Sequence, residues 1–181
     1  MKILISGSAG HYPYLLGIVS GLQIKNLTKS DNVTKESKNN EIFDLSIVDE
    51  IHAYSSGCVV ALMLALDIDI NYAMNSLHLN ILEEMNNCLF GSAFNFLKIL
   101  RKHLNIFLDS LSDDIFKKAN DKLFIHISYF KNWRLSSEII SKFYSNADLV
   151  DCCIASGFIP VYSTSLLFLY RGQYCIDYAI N

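Results

Sequence analysis

The sequence predicts an α/β layered domain, and three observations carry that prediction. Short β-type runs alternate with helical stretches along the chain. The runs "KILIS" and "EIHAY" each end in small residues that lead into a longer apolar segment. "KLFIHISYF" and "SEIISKFY", joined by "KNWRL", read as a hairpin and place an antiparallel pair in an otherwise parallel arrangement.

Taken in order, "KILIS" is a strand, "GSAG" a tight loop, and "YPYLLGIVSGLQI" has the apolar density of a packed helix. Residues 25–41, "KNLTKSDNVTKESKNNE", carry no apolar periodicity and read as a polar loop or insertion. "EIHAY" is the second strand, "SSG" a sharp turn, and "CVVALMLAL" a buried helix by its alanine and leucine content. Helical spacing then runs from Asp69 to about Asn120 in two or three amphipathic segments. After the hairpin, Ser145 caps a helix, with Asp148 three residues on in the capping-box position, and "LVDCCIASGF" ends near Gly157 and Pro160. A last strand, "YCID", follows the "RG" turn.

At 181 residues and 51% hydrophobic composition the chain suits one domain, 1–181. Fifteen basic against eighteen acidic residues leave a net charge of -3, with no basic block to neutralise a run of phosphates, so no nucleic-acid partner is expected. Cys58, Cys88, Cys152, Cys153 and Cys175 are odd in number and contain no CxxC pair, which fits a reduced, cytoplasmic setting. Glycine, serine, histidine and proline interrupt the apolar N-terminal stretch before a signal-peptide core forms, and no run reaches the length of a membrane span. The sequons at Asn26 and Asn32 then carry no meaning.

Chemistry concentrates at Ser55. A serine nucleophile needs its hydroxyl held away from its own backbone and a helix N-terminus aimed at the reaction centre. A strand-turn-helix elbow meets both needs when small residues stand two before and two after the serine. Ala53-Tyr54-Ser55-Ser56-Gly57 has that form. The bland alternative is that "SSG" starts a helix and Ser55 is its N-cap. A triad in the α/β-hydrolase order needs a late histidine, but His11, His52, His78, His103 and His126 all lie well before the C-terminus. Asp177, closing the strand "QYCID", is the carboxylate placed to act as a direct base; its bland reading is a turn residue.

These segments together resemble a patatin-like phospholipase domain. The family's oxyanion loop, G-G-G-x-[KR]-G-x-Y-x-x-G, aligns without a gap on "GSAGHYPYLLG", with Gly7 at the first glycine, Tyr14 at the tyrosine and Gly17 at the last. Its elbow, G-x-S-x-G, falls on Ala53 to Gly57, and its D-G-[GA] motif on Asp177-Tyr178-Ala179. "FIPVYS" and "YRGQYCIDYAIN" are similar to the animal triglyceride-lipase and adiponutrin branch. The match runs from Lys2 to the last residue apart from the polar stretch, so the copy reads as a minimal domain.

The resemblance implies a three-layer α/β/α fold with a central mixed, mainly parallel sheet. It implies a lipid acyl hydrolase using a Ser55–Asp177 dyad through an acyl-enzyme, with the oxyanion held by amides of Gly7, Ser8, Ala9, Gly10 and Ser56 and no metal or organic cofactor. The substrate would be a phospholipid or an acylglycerol, met at a membrane or lipid-droplet surface, and a homo-oligomer would cover the edge of the final strand. Glycine is replaced at Ser8, Ala9, Tyr12, Ala53 and Tyr178, and the loop's basic residue by His11. The alternative reading is therefore a noncatalytic lipid-binding or interaction protein on the same scaffold. A phosphate loop at "GSAG" fits less well, because the full G-x-G-x-x-G and a following lysine are absent.

The other marked residues read blandly. Trp133 and Arg134 belong to an exposed hairpin turn. His78 and His103 sit on amphipathic helices as solvated or hydrogen-bonded residues. Phe90, Phe94, Phe96 and Phe107 are core or lid packing, with any exposed ones able to meet lipid.

Overall fold

The computed structural model describes residues 1–7, 15–21, 47–88, 92–160 and 165–180. The expected insertion at 25–41 and the loop residues Ser8, Ala9 and Gly10 lie outside them.

The chain is an α/β domain built on a mixed, six-stranded sheet ordered β1 (Lys2–Ile5), β2 (Glu50–Ala53), β3 (Leu123–Lys131), β6 (Gln173–Ile176), β5 (Phe168–Tyr170), with β4 (Arg134–Ile140) also paired to β3. The β1–β2 and β2–β3 ladders are parallel, and β4 and β6 run antiparallel to β3. Because β5 is antiparallel to β6, strands β1, β2, β3 and β5 share one direction, so the sheet is mainly one-way. The helices packed on it are consistent with the expected three layers.

Side-chain alternation explains how the sheet seats its helices. Ile51, Ala53, Leu123, Ile125, Ile127 and Tyr129 are buried on one face, as period two requires. Against this sheet pack α2 (Gly57–Ala65) and α6 (Asn146–Ser156), which also touch each other. Every residue of α2 is buried, so the helix is apolar all round and sits in the core. Fully burying one of its leucines contributes about 1.5–3 kcal/mol. Helix α1, residues 15–21, adds Leu16 and Val19 to the core.

After α2, Asp69 caps α3 (Ile70–Ala73) by accepting from the Tyr72 amide at 2.8 Å. A π-helical turn, Met74–His78, carries it into α4 (Leu79–Asn86), and α5 (Ser92–Leu111) packs on both α4 and α6. The expected third segment near Asn120 is only a 3₁₀ turn, Ile115–Lys118.

The hairpin departs from its sequence reading. Its turn is two residues, Asn132 and Trp133, at φ 50° and 62°, and β4 starts at Arg134 instead of near Ser137. Positive φ at both positions matches the right-handed strand twist, and the backbone adopts it despite the tryptophan, which lies wholly in solvent. Strand β5 was not expected either. It pairs with β6 across Arg171 and Gly172, again both at positive φ, 46° and 79°.

The ladder register positions the site. Ile125 of β3 pairs with both Ala53 and Ile140, so β2 and β4 flank opposite edges of β3. Ser128 pairs with both Ser137 and Ile176, so β6 also lies opposite β4 and therefore along the same edge as β2. Since β2 is parallel to β3 and β6 antiparallel, their C-terminal ends face each other across His126 and Ile127. The residues that follow, Tyr54-Ser55 and Asp177-Tyr178, enter one gap.

Candidate active site

Ser55 leaves β2 with φ 54°, a left-handed backbone that is unfavourable for a residue with a Cβ. Such conformations cost about 1–3 kcal/mol and persist only where their surroundings hold them. Two glycines make room for this one. A methyl at Gly57 would lie 2.5 Å from the Ile5 carbonyl oxygen, so the elbow can close on the end of β1 only without a side chain there. A methyl at Gly7 would overlap the Ser55 side chain, 2.7 Å from its Oγ. Gly7 is thus the backbone wall beside that hydroxyl.

In this conformation the Ser55 hydroxyl turns away from α2. It donates to Asp177 Oδ2 at 2.6 Å, between residues 122 positions apart in sequence. Both are buried, Ser55 at 7% exposure and Asp177 at 2%. The other carboxylate oxygen, Oδ1, accepts from the Ala179 amide at 2.8 Å, which fixes the carboxylate plane. Ser56 occupies the N-cap position of α2 and makes no side-chain capping bond there. The structure therefore brings Gly7, Ser55, Ser56 and Asp177 to one point, while Ser8, Ala9 and Gly10 lie outside the described residues.

The tail of α6, to which no sequence motif assigned a site residue, touches both central residues. The Ser55 amide donates to Ser156 Oγ at 2.9 Å, and that hydroxyl donates to the His126 carbonyl at 2.6 Å. Two residues on, the Phe158 carbonyl accepts from the Asp177 amide at 2.8 Å. Between them, a methyl at Gly157 would come to 3.3 Å from Ser55 Cα. The available signal was "ASG" at a helix end just before the aspartate segment.

Beside the dyad lies an aromatic and histidine group on the sheet's other face. Tyr178 packs on Tyr54 and, edge-on, on His126. His126 Nε2 and His52 Nδ1 are 3.1 Å apart, and His52 Nε2 is 3.1 Å from Glu50 Oε2. With Glu50 accepting from His52 Nε2–H, a neutral pair is satisfied when His126 Nε2–H donates to His52 Nδ1. Burial, and then the neighbouring His52, hold the His126 pKa below the ordinary histidine value. Hydrogen bonds from Lys2 and then His52 hold Glu50 below the usual carboxylate range.

Alternative nucleophiles are poorly placed. Burial pushes the Cys152 thiol well up, and contact with Cys58 followed by burial does the same for Cys153, so both stay protonated near neutral pH. Among the described residues, no group of three or more His, Cys, Asp or Glu side chains is arranged to hold a metal ion. Within the same residues, no helix is long and apolar enough to cross a membrane.

No protein-family model matches the chain. Among curated proteins it is similar to omega-hydroxyceramide transacylase of Mus musculus, at 25% identity over 134 residues, 72% of this chain and 22% of that protein. The chain thus spans about a fifth of the length of this relative. The match is consistent with the patatin-like motifs and with an enzyme acting on lipids, and it does not select a branch.

Proposed function

We propose that the protein is a patatin-like lipid acyl hydrolase, a serine esterase acting on phospholipids or acylglycerols through a Ser55–Asp177 dyad. The observation that carries this reading is the buried 2.6 Å hydrogen bond from Ser55 Oγ to Asp177 Oδ2, made from a left-handed elbow. Asp177 takes the Ser55 proton as Oγ attacks the ester carbonyl, then returns it to the departing alcohol, leaving an acyl-enzyme. A second hydroxyl compound, activated by the same carboxylate, releases the acyl group. Negative charge developing on the carbonyl oxygen falls to amides of the loop from Gly7 to Gly10 and of Ser56.

The acceptor is water in a hydrolase and an alcohol in a transacylase. Similarity to a transacylase supports testing both. Exposed apolar side chains lie in the segments around Asp177, Ile180 just after it and Leu166 and Leu167 just before β5. They support peripheral work at a membrane or lipid-droplet surface. The alternative, a lipid-binding protein without turnover, draws on the substituted glycines at Ser8, Ala9, Tyr12, Ala53 and Tyr178.

A fluorophosphonate probe separates the two. Covalent labelling of the wild type that is absent in Ser55→Ala and strongly reduced in Asp177→Ala is the expected result. Fatty acid release from phospholipid vesicles or acylglycerol emulsions, with and without an added alcohol, then identifies donor and acceptor. A folded wild type that takes no label supports the binding protein instead.

A further inference from the structure

We infer that Ser156 is a positioning residue for the nucleophile, acting as a hydroxyl wedge in the β2–β3 ladder. The inference rests on the dyad proposed above and concerns what holds its serine in place. In the parallel ladder the Ile51 amide donates to the Lys122 carbonyl at 2.8 Å. Four residues along both strands, the corresponding rung joins the Ser55 amide to the His126 carbonyl. That direct bond is replaced by two: Ser55 N–H donates to Ser156 Oγ at 2.9 Å, and Ser156 O–H donates to the His126 carbonyl at 2.6 Å.

The substitution has a geometric consequence. An inserted oxygen moves the two strands apart by one hydrogen bond at the position where β2 must leave the sheet. Ser55 is then free to take φ 54° without losing its amide's partner, and the His126 carbonyl keeps its donor. Ser156 is fully buried, so water does not fill either role in its place. The same short tail holds the other half of the dyad, through the Phe158 carbonyl on the Asp177 amide. One rigid segment, Ser156 to Phe158, therefore sets the distance between hydroxyl and carboxylate.

Removing the Ser156 hydroxyl leaves the Ser55 amide and the His126 carbonyl buried without the partner that joins them, so Ser55 is no longer held at its left-handed backbone and the fraction of correctly aimed hydroxyl falls. A misplacement of about 1 Å can lower a rate roughly a hundredfold.

The test compares wild type, Ser156→Ala and Val150→Ala, the last being a core truncation on the same helix that lowers stability without reaching the elbow. Fluorophosphonate labelling at saturating probe is expected to fall about ten- to hundredfold in Ser156→Ala, with the half-saturating probe concentration unchanged. Val150→Ala is expected to label like the wild type. Hydrogen exchange read at the Ser55 amide is expected to speed up in Ser156→Ala alone. Ser156→Cys, which keeps a small side chain with a proton to donate but weakens both bonds, replaces the alanine variant should that not fold. Wild-type labelling rates in folded Ser156→Ala, or unchanged protection of the Ser55 amide, overturn the inference. A wild type that takes no label overturns the dyad instead, and the Ser55 exchange rate still decides whether Ser156 holds the elbow.

Discussion

Ser145 before α6 and Ser55 before α2 each stand between a strand and a helix, and their hydroxyls are used in opposite ways. Ser145 has an extended backbone, φ -161° and ψ 168°, and its Oγ accepts from the Asp148 amide at 3.0 Å. Asp148 in turn accepts from the Tyr144 amide at 3.0 Å, one residue before the N-cap amide that a capping box would use. Ser55 has a left-handed backbone, and its hydroxyl leaves the helix for a carboxylate across the sheet. An extended serine caps because its side chain folds back over the first turn. A left-handed serine presents its side chain outward, and its own amide must be satisfied from elsewhere, here by Ser156.

The largest effect that sharpens this contrast is on reactivity. Asp177→Asn is expected to lower fluorophosphonate labelling by about 10²–10⁴-fold, the usual contribution of a general base, while the protein stays folded. Ser145→Ala should leave labelling at the wild-type rate. Equal labelling of Asp177→Asn and wild type would dissolve the distinction between the two serines. Next comes Gly57→Ala, which asks whether the elbow needs its close approach to β1. The added methyl meets the backbone oxygens of Ile5 and Ser6 at 2.5 and 2.7 Å, and chemical denaturation should record a loss of about 1–3 kcal/mol. A neutral result there would mean that the elbow yields. Smaller still, Ser145→Ala should lose about 1 kcal/mol of stability, the ordinary worth of a cap.

Much of this was legible in the sequence, and the misses have physical causes. The β1, β2, α2 and α6 segments announced themselves by period and length, and the Ser145 cap by its partner three residues on. The meeting of Ser55 with Asp177 could be anticipated only as a pairing of motifs. What creates it is that β2 and β6 share an edge of β3, a register no local pattern encodes. Strand β5 was missed because "FLY" is too short to show alternation, and the Asn132-Trp133 turn because tryptophan is a poor guide to positive φ. Ser156 carried no signal of its own. A serine in the last turn of a helix ordinarily bonds back to that helix, and only the strand gap beside it gives its hydroxyl different partners.

The smallest expected effect lies in the pH response, and it too separates the corners. His126, whose carbonyl takes the Ser156 hydroxyl and whose ring packs on Tyr178 next to Asp177, has a folded-state pKa below its ordinary value of 6.5. The unfolded chain then binds a proton at this ring more readily than the folded chain does. Stability from this group is therefore complete above about pH 6.5 and is lost as pH falls toward the lower folded value. Glu50, beyond His52 in the same chain of bonds, titrates below its ordinary 4.5, so the window between about 6.5 and 4.5 reports on histidine. His78, also held low by burial, contributes in that window from α3–α4, which makes the variant essential. Thermal melts of wild type between pH 7 and 5 should show a fall in Tm that is reduced, with His78 still contributing, in His126→Asn. Protonation of His126 at Nδ1 keeps its Nε2–H on His52 Nδ1, so what opposes it is the burial of the added charge beside Tyr178 and the dyad. Labelling of Ser55 should accordingly weaken along with the loss of stability, whereas the Ser145 corner, which has no histidine among its bonded partners, should keep its cap across the same range. A pH profile of Tm identical in wild type and His126→Asn would mean that protonation of this ring does not carry the pH response.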